Sequence, residues 1–159
     1  MSANKTYNIL FCGIGGQGVL TASEICGLAA VYEGFAAKKS EVHGMAQRGG
    51  SVESHLRFGK EVFSPLIPEG NADFLVSFFR DEHDRMLHFL KKDGVDLVSF
   101  LEKGEKEVSD ERLINTYLLG VLSRDLPISE DNWKKAINSV FNKLQDKNIE
   151  VFLKGRNEQ

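Results

Sequence analysis

The feature that most constrains the fold of this chain is a glycine-rich turn close to its start. In residues 8–12, Asn8 is followed by four apolar residues without a break, which is typical of a strand buried on both faces, and we expect a central parallel strand there. The segment from Gly13 to Gly18 follows, and four of its six residues are glycine. Val19–Tyr32 then carries apolar residues at nearly helical spacing, and Gly34 supplies a stop signal. Strand, glycine turn and helix in this order predict a Rossmann-like first βαβ unit.

Strand and helix patterns alternate along much of the remaining sequence, which predicts an α/β fold. The predicted strands are residues 35–42, 51–58, 74–79 and 95–101. In residues 51–58, Val52, Ser54, Leu56 and Phe58 alternate with the polar Glu53, His55 and Arg57, so we expect that strand to be half exposed, with one face to solvent. The predicted helices are residues 80–92, 110–124 and 130–146, with a charged loop at 102–107. Because 159 residues suit one core and no long linker interrupts them, we expect residues 1–159 to form a single domain.

The charge balance argues against nucleic acid and membrane as partners. The chain has 20 Lys and Arg residues and 23 Asp and Glu residues, a net charge of −3, so no overall positive field would attract polyanions. No apolar run is long enough to span a bilayer, and the polar first seven residues do not resemble a signal peptide. We therefore expect a cytoplasmic protein.

The glycine turn is suited to bind an anion or to permit close backbone contact. Glycine allows positive φ, and the free amides at a helix start favour a phosphate or carboxylate. The turn fits the pattern GxGxxG, but a dinucleotide site also needs an acidic residue at the end of the second strand, and residues 35–40 contain none. Lys38 and Lys39 would instead meet a 2′-phosphate, so an NADP-binding reductase stays an alternative. A turn required only for packing is another.

A second glycine-rich segment, residues 40–51, is polar and lacks apolar periodicity, which predicts a functional loop. Arg48 lies between Gln47 and two glycines, where its guanidinium could be presented to a carboxylate or phosphate. His43 is the one histidine of the chain within this segment. The alternative is that its glycines only turn the chain into the next strand.

The two cysteines, Cys12 and Cys26, both lie in apolar stretches. Their spacing matches no iron–sulfur or zinc motif, and each is expected to be a small buried hydrophobe. The sequence has neither a nucleophile-elbow pattern nor a paired set of carboxylates, so we predict no catalytic residue and no metal site within this chain.

Together the two glycine segments resemble the γ subunit of the pyruvate/2-oxoacid:ferredoxin oxidoreductase family, and residues 40–50 are similar to the form found in indolepyruvate oxidoreductase small subunits. Residues 115–120 resemble the family's Asn-containing helix. The closing motif of the family is matched by Asn148, Phe152 and Gly155. The chain departs from the family at Phe79, where an acidic residue is usual, and at Ser99, where an Asn is usual. The pattern after Phe79 is retained by Glu82 and Arg85.

This resemblance implies a three-layer α/β/α domain with a mixed, mainly parallel sheet. It implies a cofactor-free small subunit, inactive alone, in a hetero-oligomer that oxidatively decarboxylates an arylpyruvate to an acyl-CoA and reduces ferredoxin. A large partner subunit would hold thiamine diphosphate, Mg and iron–sulfur clusters, and coenzyme A would bind in the complex. A divergent assembly protein with the same fold is a further alternative. The residues expected at the active site or the partner interface are Gly13, Gly15, Gly16, Gln17, Gly18, His43, Gly44, Gln47, Arg48, Gly49 and Gly50.

Overall fold

The computed structural model describes residues 4–44 and 49–159, which form a five-stranded sheet with helices on both faces. The strands are β1 Tyr7–Ile14, β2 Ala36–His43, β3 Ser51–Gly59, β4 Ala72–Ser77 and β5 Leu90–Asp96. The helices are α1 Val19–Tyr32, α2 Arg80–Met86, α3 Val98–Glu107, α4 Ile114–Ser123, α5 Glu130–Val140 and α6 Gln145–Arg156. Two 3₁₀ turns, Leu87–Phe89 and Glu111–Leu113, precede β5 and α4. None of the helices in the described ranges is both long and apolar enough to cross a bilayer.

The order of strands across the sheet is β2-β3-β1-β4-β5. Strand β1 pairs in parallel with β4, and β4 with β5, while β3 runs antiparallel to both β1 and β2. Four strands therefore point the same way and one opposes them, which confirms the predicted mixed, mainly parallel sheet. In the first βαβ unit, β1 and β2 are parallel but are separated by β3, whereas in a Rossmann unit they are neighbours.

Strand β1 divides the interior into two cores because its side chains alternate between the faces of the sheet. Ile9 and Phe11 enter the large core under α1, α4 and α5, and Leu10 and Cys12 enter a smaller one beside α2. All four side chains are fully buried. The predicted central strand is confirmed.

The prediction that β3 exposes one face is wrong. The apolar phase of the strand enters the large core as expected, but His55 on the polar phase is only 3% exposed. Residues 60–71 fold back over that phase: the Ile67 N–H donates to His55 Nδ1 at 3.1 Å, and Arg57 Nη1 donates to the Ser64 carbonyl at 2.8 Å. Alternation in the sequence identified the two faces of β3 but not the segment that covers the second one.

The region after α2 also differs from the sequence prediction. The predicted helix over residues 80–92 ends at Met86, the following strand is Leu90–Asp96, and Val98–Glu107 is a helix where a strand and a charged loop were expected. The Asp96 carboxylate accepts a hydrogen bond from the Val98 N–H at 3.0 Å, which stabilises the start of α3. Leu101 and Gly104, one turn apart, are the buried residues of α3, so its many charged side chains occupy the solvent side.

The C-terminal helices pack as a layer on the large core, and the predicted helix over residues 130–146 is divided into α5 and α6. Ser129 caps α5 as predicted, accepting from the Asn132 N–H at 3.3 Å. Helices α4 and α6 touch backbone to backbone. A Cβ on Gly120 would overlap the Phe152 carbonyl oxygen, and a Cβ on Gly155 would overlap the Tyr117 carbonyl oxygen.

His83 joins α2 to the end of β5. Its Nε2 lies 2.7 Å from Asp96 Oδ2 and its Nδ1 lies 3.0 Å from Asp84 Oδ1. Burial alone would lower the pKa of His83, but the hydrogen bonds to Asp96 and Asp84 outweigh it and raise that pKa. Both ring nitrogens can donate only when the imidazole is protonated, so the protonated form fits this environment.

We predict that Gly155→Ala destabilises the protein by about 1–3 kcal/mol, the usual cost of overpacking, because the added methyl group must separate α4 from α6. Gly27→Ala is the matched control: its Cβ would meet only Leu56 Cδ1, at 3.5 Å, and alanine favours the helix. Urea unfolding measures both variants. Equal free energies of unfolding for the two would contradict the close backbone contact.

A second prediction concerns pH. Because the pKa of His83 is raised in the folded state, its stabilising contribution is complete below the unfolded value of about 6.5 and is lost as pH rises through the folded value. The free energy of unfolding should therefore fall over that range in the wild type and fall less in His83→Gln. His88→Gln is the control, since His88 is exposed and lies 3.5 Å from Glu69. Parallel pH profiles for all three proteins would refute the assignment.

Candidate functional site

The two glycine-rich segments meet at the carboxyl end of β1. The Gly15 N–H donates to the Gly50 carbonyl at 2.9 Å, and the Gly44 N–H donates to the Ser51 carbonyl at 2.6 Å. Because β2 continues to His43, residues 40–43 of the predicted loop belong to a strand. Residues 45–48 lie outside the described residues, so the roles expected for Gln47 and Arg48 stay predictions.

The side chain of Gln17 stabilises the glycine turn by a hydrogen bond within it. Gln17 Oε1 accepts from the Ile14 N–H at 2.9 Å, and a Cβ on Gly13 would lie 2.7 Å from the same oxygen. Gly16 and Gly18 have φ of +94° and +79°, values that side chains of L-residues rarely adopt. The conformation of the turn therefore requires glycine at these positions, and Gln17 acts within the turn.

The start of α1 opens onto a cavity of about 260 Å³. Its walls are the glycine turn, the first turn of α1, the start of β3 and His43. The first amides of a helix have no intrahelical partner, and α1 has no acidic residue in its first turn to satisfy them. This geometry suits a phosphate or a carboxylate.

His43 stands at the rim of this cavity. Its side chain is 55% exposed, and its Nε2 lies 4.0 Å from Glu41 Oε2. The structure therefore brings His43 together with the glycine turn and Gly50, as the sequence predicted for a shared loop region, but presents the imidazole outward rather than enclosing it.

A wider groove of about 1250 Å³ lies on the opposite side of the glycine turn, against the connection between α3 and α4. It is lined by the aromatic rings of Phe78 and Phe141 and by charged residues. Among these, Arg112 Nη2 donates to Asp110 Oδ2 at 2.8 Å, and this pairing lowers the pKa of Asp110 to about 2. The glycine turn thus separates the small cavity, which suits an anion, from the larger groove, which is lined by aromatic and charged residues.

Asn115 contacts the glycine turn, although it was not among the residues that the sequence predicted at the site. It is buried at the start of α4, and its Nδ2 donates to the Gly18 carbonyl at 3.3 Å. Asn115 Oδ1 accepts from the Thr116 N–H at 2.9 Å, and Thr116 Oγ1 donates to Asn148 Oδ1 at 2.8 Å. Asn148 Nδ2 donates in turn to the Leu144 carbonyl at 3.0 Å. The signal available in the sequence was the family resemblance at Asn115 and Asn148.

A cluster of charged side chains around the buried Glu82 lies on the other flank of the site. Ser51 Oγ donates to Glu82 Oε2 at 3.1 Å, and Arg85 Nη2 donates to Glu82 Oε1 at 2.8 Å. The hydrogen bond that Arg85 donates to Glu82 raises the pKa of Arg85. Arg85 also lies 3.8 Å from Glu53, which is 2.9 Å from His55 Nε2. Glu82 and Arg85, retained from the family pattern, therefore tie α2 to Ser51, the first residue of β3.

The cysteines do not fit an iron–sulfur cluster. Cys26 enters the large core and Cys12 the small one, on opposite faces of the sheet, and both are fully buried. Burial raises the pKa of Cys12 to about 12 and raises that of Cys26 as well, so neither favours the thiolate that ligates iron. Their predicted role as buried hydrophobes is confirmed. Among residues 4–44 and 49–159, no cluster of His, Cys, Asp and Glu is arranged to hold a metal ion.

The sheet order weakens the NADP alternative. Dinucleotide sites place the ribose-binding residue on a second strand adjacent to the first. Here β3 intervenes, so β2 lies two strand spacings, roughly 10 Å, from β1. Lys39 is paired with Glu41 at 3.1 Å, and Lys38 Nζ is 3.5 Å from the Phe63 carbonyl. The two lysines proposed for a 2′-phosphate are therefore displaced from the glycine turn.

Comparison with known proteins gives consistent matches. The family model described as pyruvate ferredoxin/flavodoxin oxidoreductase matches residues 8–158. Indolepyruvate oxidoreductase subunit IorB of Thermococcus kodakarensis is 47% identical over 91 residues, which are 57% of this chain and 45% of that relative. The chain thus spans less than half the length of that relative. The 2-oxoglutarate synthase subunit KorC of Methanocaldococcus jannaschii is 30% identical over 172 aligned positions, 92% of this chain and 90% of the relative.

A solved structure has the same fold. The γ subunit of a keto/oxoacid ferredoxin oxidoreductase from Geobacter sulfurreducens superposes with a TM-score of 0.77 at 23% identity. The superposition covers 95% of this chain and 94% of the solved one. The three-layer α/β architecture with its mixed sheet is therefore shared with that subunit.

We predict that Gly18→Ala destabilises the protein more than Gly16→Ala does. Both positions have positive φ, so both variants acquire backbone strain of about 1–2 kcal/mol. A Cβ at Gly18 would also overlap the Asn115 side chain, whereas nothing lies within 4 Å of a Cβ at Gly16. In an Asn115→Ala background the excess cost of Gly18→Ala should disappear, as measured by urea unfolding. An excess that persists there would show that the clash is not with Asn115.

Proposed function

Because the chain belongs to the pyruvate ferredoxin/flavodoxin oxidoreductase family, we propose that it is the small, γ-type subunit of a 2-oxoacid:ferredoxin oxidoreductase that acts on indolepyruvate or another arylpyruvate. The observation that supports this substrate class is the identity with the Thermococcus indolepyruvate oxidoreductase subunit. We treat residues 1–159 as one γ-type domain. The activity, substrate and partners of the whole complex are all part of the proposal.

In the proposed reaction, the bond between the carboxylate and the carbonyl carbon of the 2-oxoacid breaks and carbon dioxide leaves. The acyl group is transferred to the sulfur of coenzyme A, whose thiol proton is released, and the electron pair passes to ferredoxin. Such chemistry depends on cofactors, with the protein supplying binding and orientation. Because Cys12 and Cys26 are buried on opposite faces of the sheet, they do not fit a cluster. We therefore assign thiamine diphosphate, magnesium and the iron–sulfur clusters to a large partner subunit.

We assign to this chain the binding of an anionic group at the edge of the shared active site. The observation that carries the assignment is the cavity where the unsatisfied amides of α1 face the glycine turn. A phosphate of coenzyme A and the carboxylate of the 2-oxoacid share the chemistry that these amides recognise. Gly15, Gly16 and Gly18 line the cavity, while Gln17, packed against Gly13, holds the turn.

The loop over residues 44–50 is proposed to complete this anion site. His43 and Gly50, at the two ends of the loop, both line the cavity. Gln47 and Arg48 belong to this loop, together with Gly44 and Gly49. Because Arg48 is only two residues from Gly50 in sequence, we propose that its guanidinium contacts the anion. The anchoring of Ser51 to Glu82 fixes the end of the loop against α2 and would limit the positions from which Arg48 acts.

The exposure of the site supports a hetero-oligomer. The cavity and the groove on either side of the glycine turn are both open, and His43 at the rim is more than half exposed. Oxyanion and phosphate contacts are strongest where water is excluded. A large subunit seated over the glycine turn would supply that exclusion and the cofactors together.

We predict that the chain alone gives no turnover, and that co-expression with its large subunit gives a complex that oxidises arylpyruvates. In that complex Arg48→Ala should lower kcat/KM by about tenfold or more, since a charge-assisted contact contributes about 1.5–3 kcal/mol. Its effect on the free energy of unfolding should be below about 0.5 kcal/mol, as is usual for surface changes. Lys106→Ala, an exposed cation in an (i,i+4) pair with Glu102, is the control.

The outcomes separate the alternatives. Full turnover of Arg48→Ala with every 2-oxoacid would show that the loop is structural. A failure to form any complex would favour the divergent assembly protein. Nucleotide binding by the isolated chain, measured with NADP by calorimetry, would favour the reductase alternative over the γ-type subunit.

A further inference from the structure

Strand β2 forms one edge of the sheet in the described part of the chain. It pairs with β3 over eight residues, from Ala36 opposite Gly59 to His43 opposite Val52. Most of its residues are exposed. The backbone groups along the outer side of an edge strand are directed away from its neighbour and can pair with an added strand.

The side chains of β2 carry a pattern that is complementary to itself. Lys39 and Glu41 lie on the face of the sheet that carries α1, because they are opposite Leu56 and Ser54. Lys38, Ser40 and Val42 lie on the other face. One cation and one carboxylate thus stand at equal distances on either side of Ser40.

We propose that β2 pairs antiparallel with β2 of a second copy of this chain, about a two-fold axis that passes beside Ser40. The two sheets then join into one continuous sheet of ten strands. Lys39 lies directly opposite Glu41 of the second copy, and Glu41 opposite Lys39 of the second copy. Opposite charges at directly facing positions of an antiparallel pair are stabilising, and the two-fold axis produces the ion pair twice.

The charges also exclude the neighbouring registers. A two-fold axis normal to the sheet keeps both helical layers on one side, so residues of the same face must oppose each other. Centring the pair on Lys39 would place two lysines in contact, and centring it on Glu41 would place two carboxylates in contact. Like charges directly opposite are destabilising. The register centred on Ser40 avoids both.

An exposed aromatic ring supports the same register on the other face. Lys38 Nζ lies 3.5 Å from the Phe63 carbonyl, and Arg57, which is opposite Lys38 in the sheet, donates to the Ser64 carbonyl. These contacts hold the segment over this level of β2, while the Phe63 side chain is 84% exposed. In the proposed register Lys38 faces Val42 of the second copy, and Val42 is 46% exposed in the single chain. The pairing therefore places the exposed Val42 of each copy near the exposed Phe63 of the other copy.

A second copy fits this edge better than an unrelated strand because one strand supplies both members of every pair. The lysine, the carboxylate, the valine and the segment carrying Phe63 all belong to this chain and are matched by the two-fold operation. The inference does not depend on the proposed function, and its failure would leave the γ-type subunit assignment unchanged.

The first test is a disulfide cross-link in the full chain. In Ser40→Cys the two introduced cysteines face each other across the axis, with Cα atoms about 4.5–5.5 Å apart, a separation that a disulfide spans. In the control Lys38→Cys they are offset by four residues, about 13 Å, which a disulfide cannot bridge. Native Cys12 and Cys26 are buried. Under mild oxidation we expect a covalent dimer from Ser40→Cys and not from Lys38→Cys.

The second test is a charge exchange measured by sedimentation of the full chain. Glu41→Lys turns both ion pairs into repulsions and should raise the dimer dissociation constant by about tenfold. The double variant Lys39→Glu/Glu41→Lys restores opposite charges at both positions and should restore the dimer. A monomeric wild type, a Ser40→Cys variant that cross-links no faster than Lys38→Cys, or a double variant as weak as Glu41→Lys would overturn the proposal. So would protection of the β2 amides from hydrogen exchange only when the large subunit is bound.

Discussion

Strand β3 pairs over eight residues with β1 on one side and over eight residues with β2 on the other. Because it enters antiparallel, its first residues lie at the carboxyl end of β1, and Gly50, which directly precedes it, lies against the glycine turn. The hydrogen bond from the Gly15 N–H to the Gly50 carbonyl joins the two at this point. The same insertion moves β2 to the edge of the sheet and makes β3 internal, so that its polar phase has to be covered and satisfied.

Two hydrogen-bonded systems then hold the site from opposite sides. On one flank, Asn115 links the Gly18 carbonyl through Thr116 and Asn148 to the connection between α5 and α6. On the other, Ser51 is bound to Glu82 and through it to Arg85. Asn115, Thr116, Asn148 and Glu82 are buried, so the loss of one of them would leave an unsatisfied partner. The two systems therefore favour a single arrangement of the glycine turn and of Ser51. The described part of the site is thus held in place by hydrogen bonds of the chain itself.

Much of this arrangement follows from local sequence, and the remainder does not. The buried strand, the glycine turn and helix α1 were predictable because consecutive residues carry the signal, and the motifs correctly identified the family. The exposure predicted for β3 was wrong because residues 60–71, distant in sequence, cover His55. Helix α3 was missed because only Leu101 and Gly104 of its residues are buried, so its apolar stripe is too narrow to dominate the charged pattern. The link from Asn115 to Gly18 joins residues 97 positions apart, which no local periodicity reports.

The backbone contact between α4 and α6 has a mechanical consequence. Side chains usually separate packed helices and allow them to slide by changing rotamers, but Gly120 and Gly155 leave no such layer between these two. Helix α4 begins beside Asn115, and α6 carries Asn148 in its first turn. Sliding of one helix along the other would bring their backbones into collision, so this contact opposes it. The close contact between α4 and α6 therefore connects the α5–α6 junction, where Asn148 lies, to the glycine turn, which Asn115 contacts.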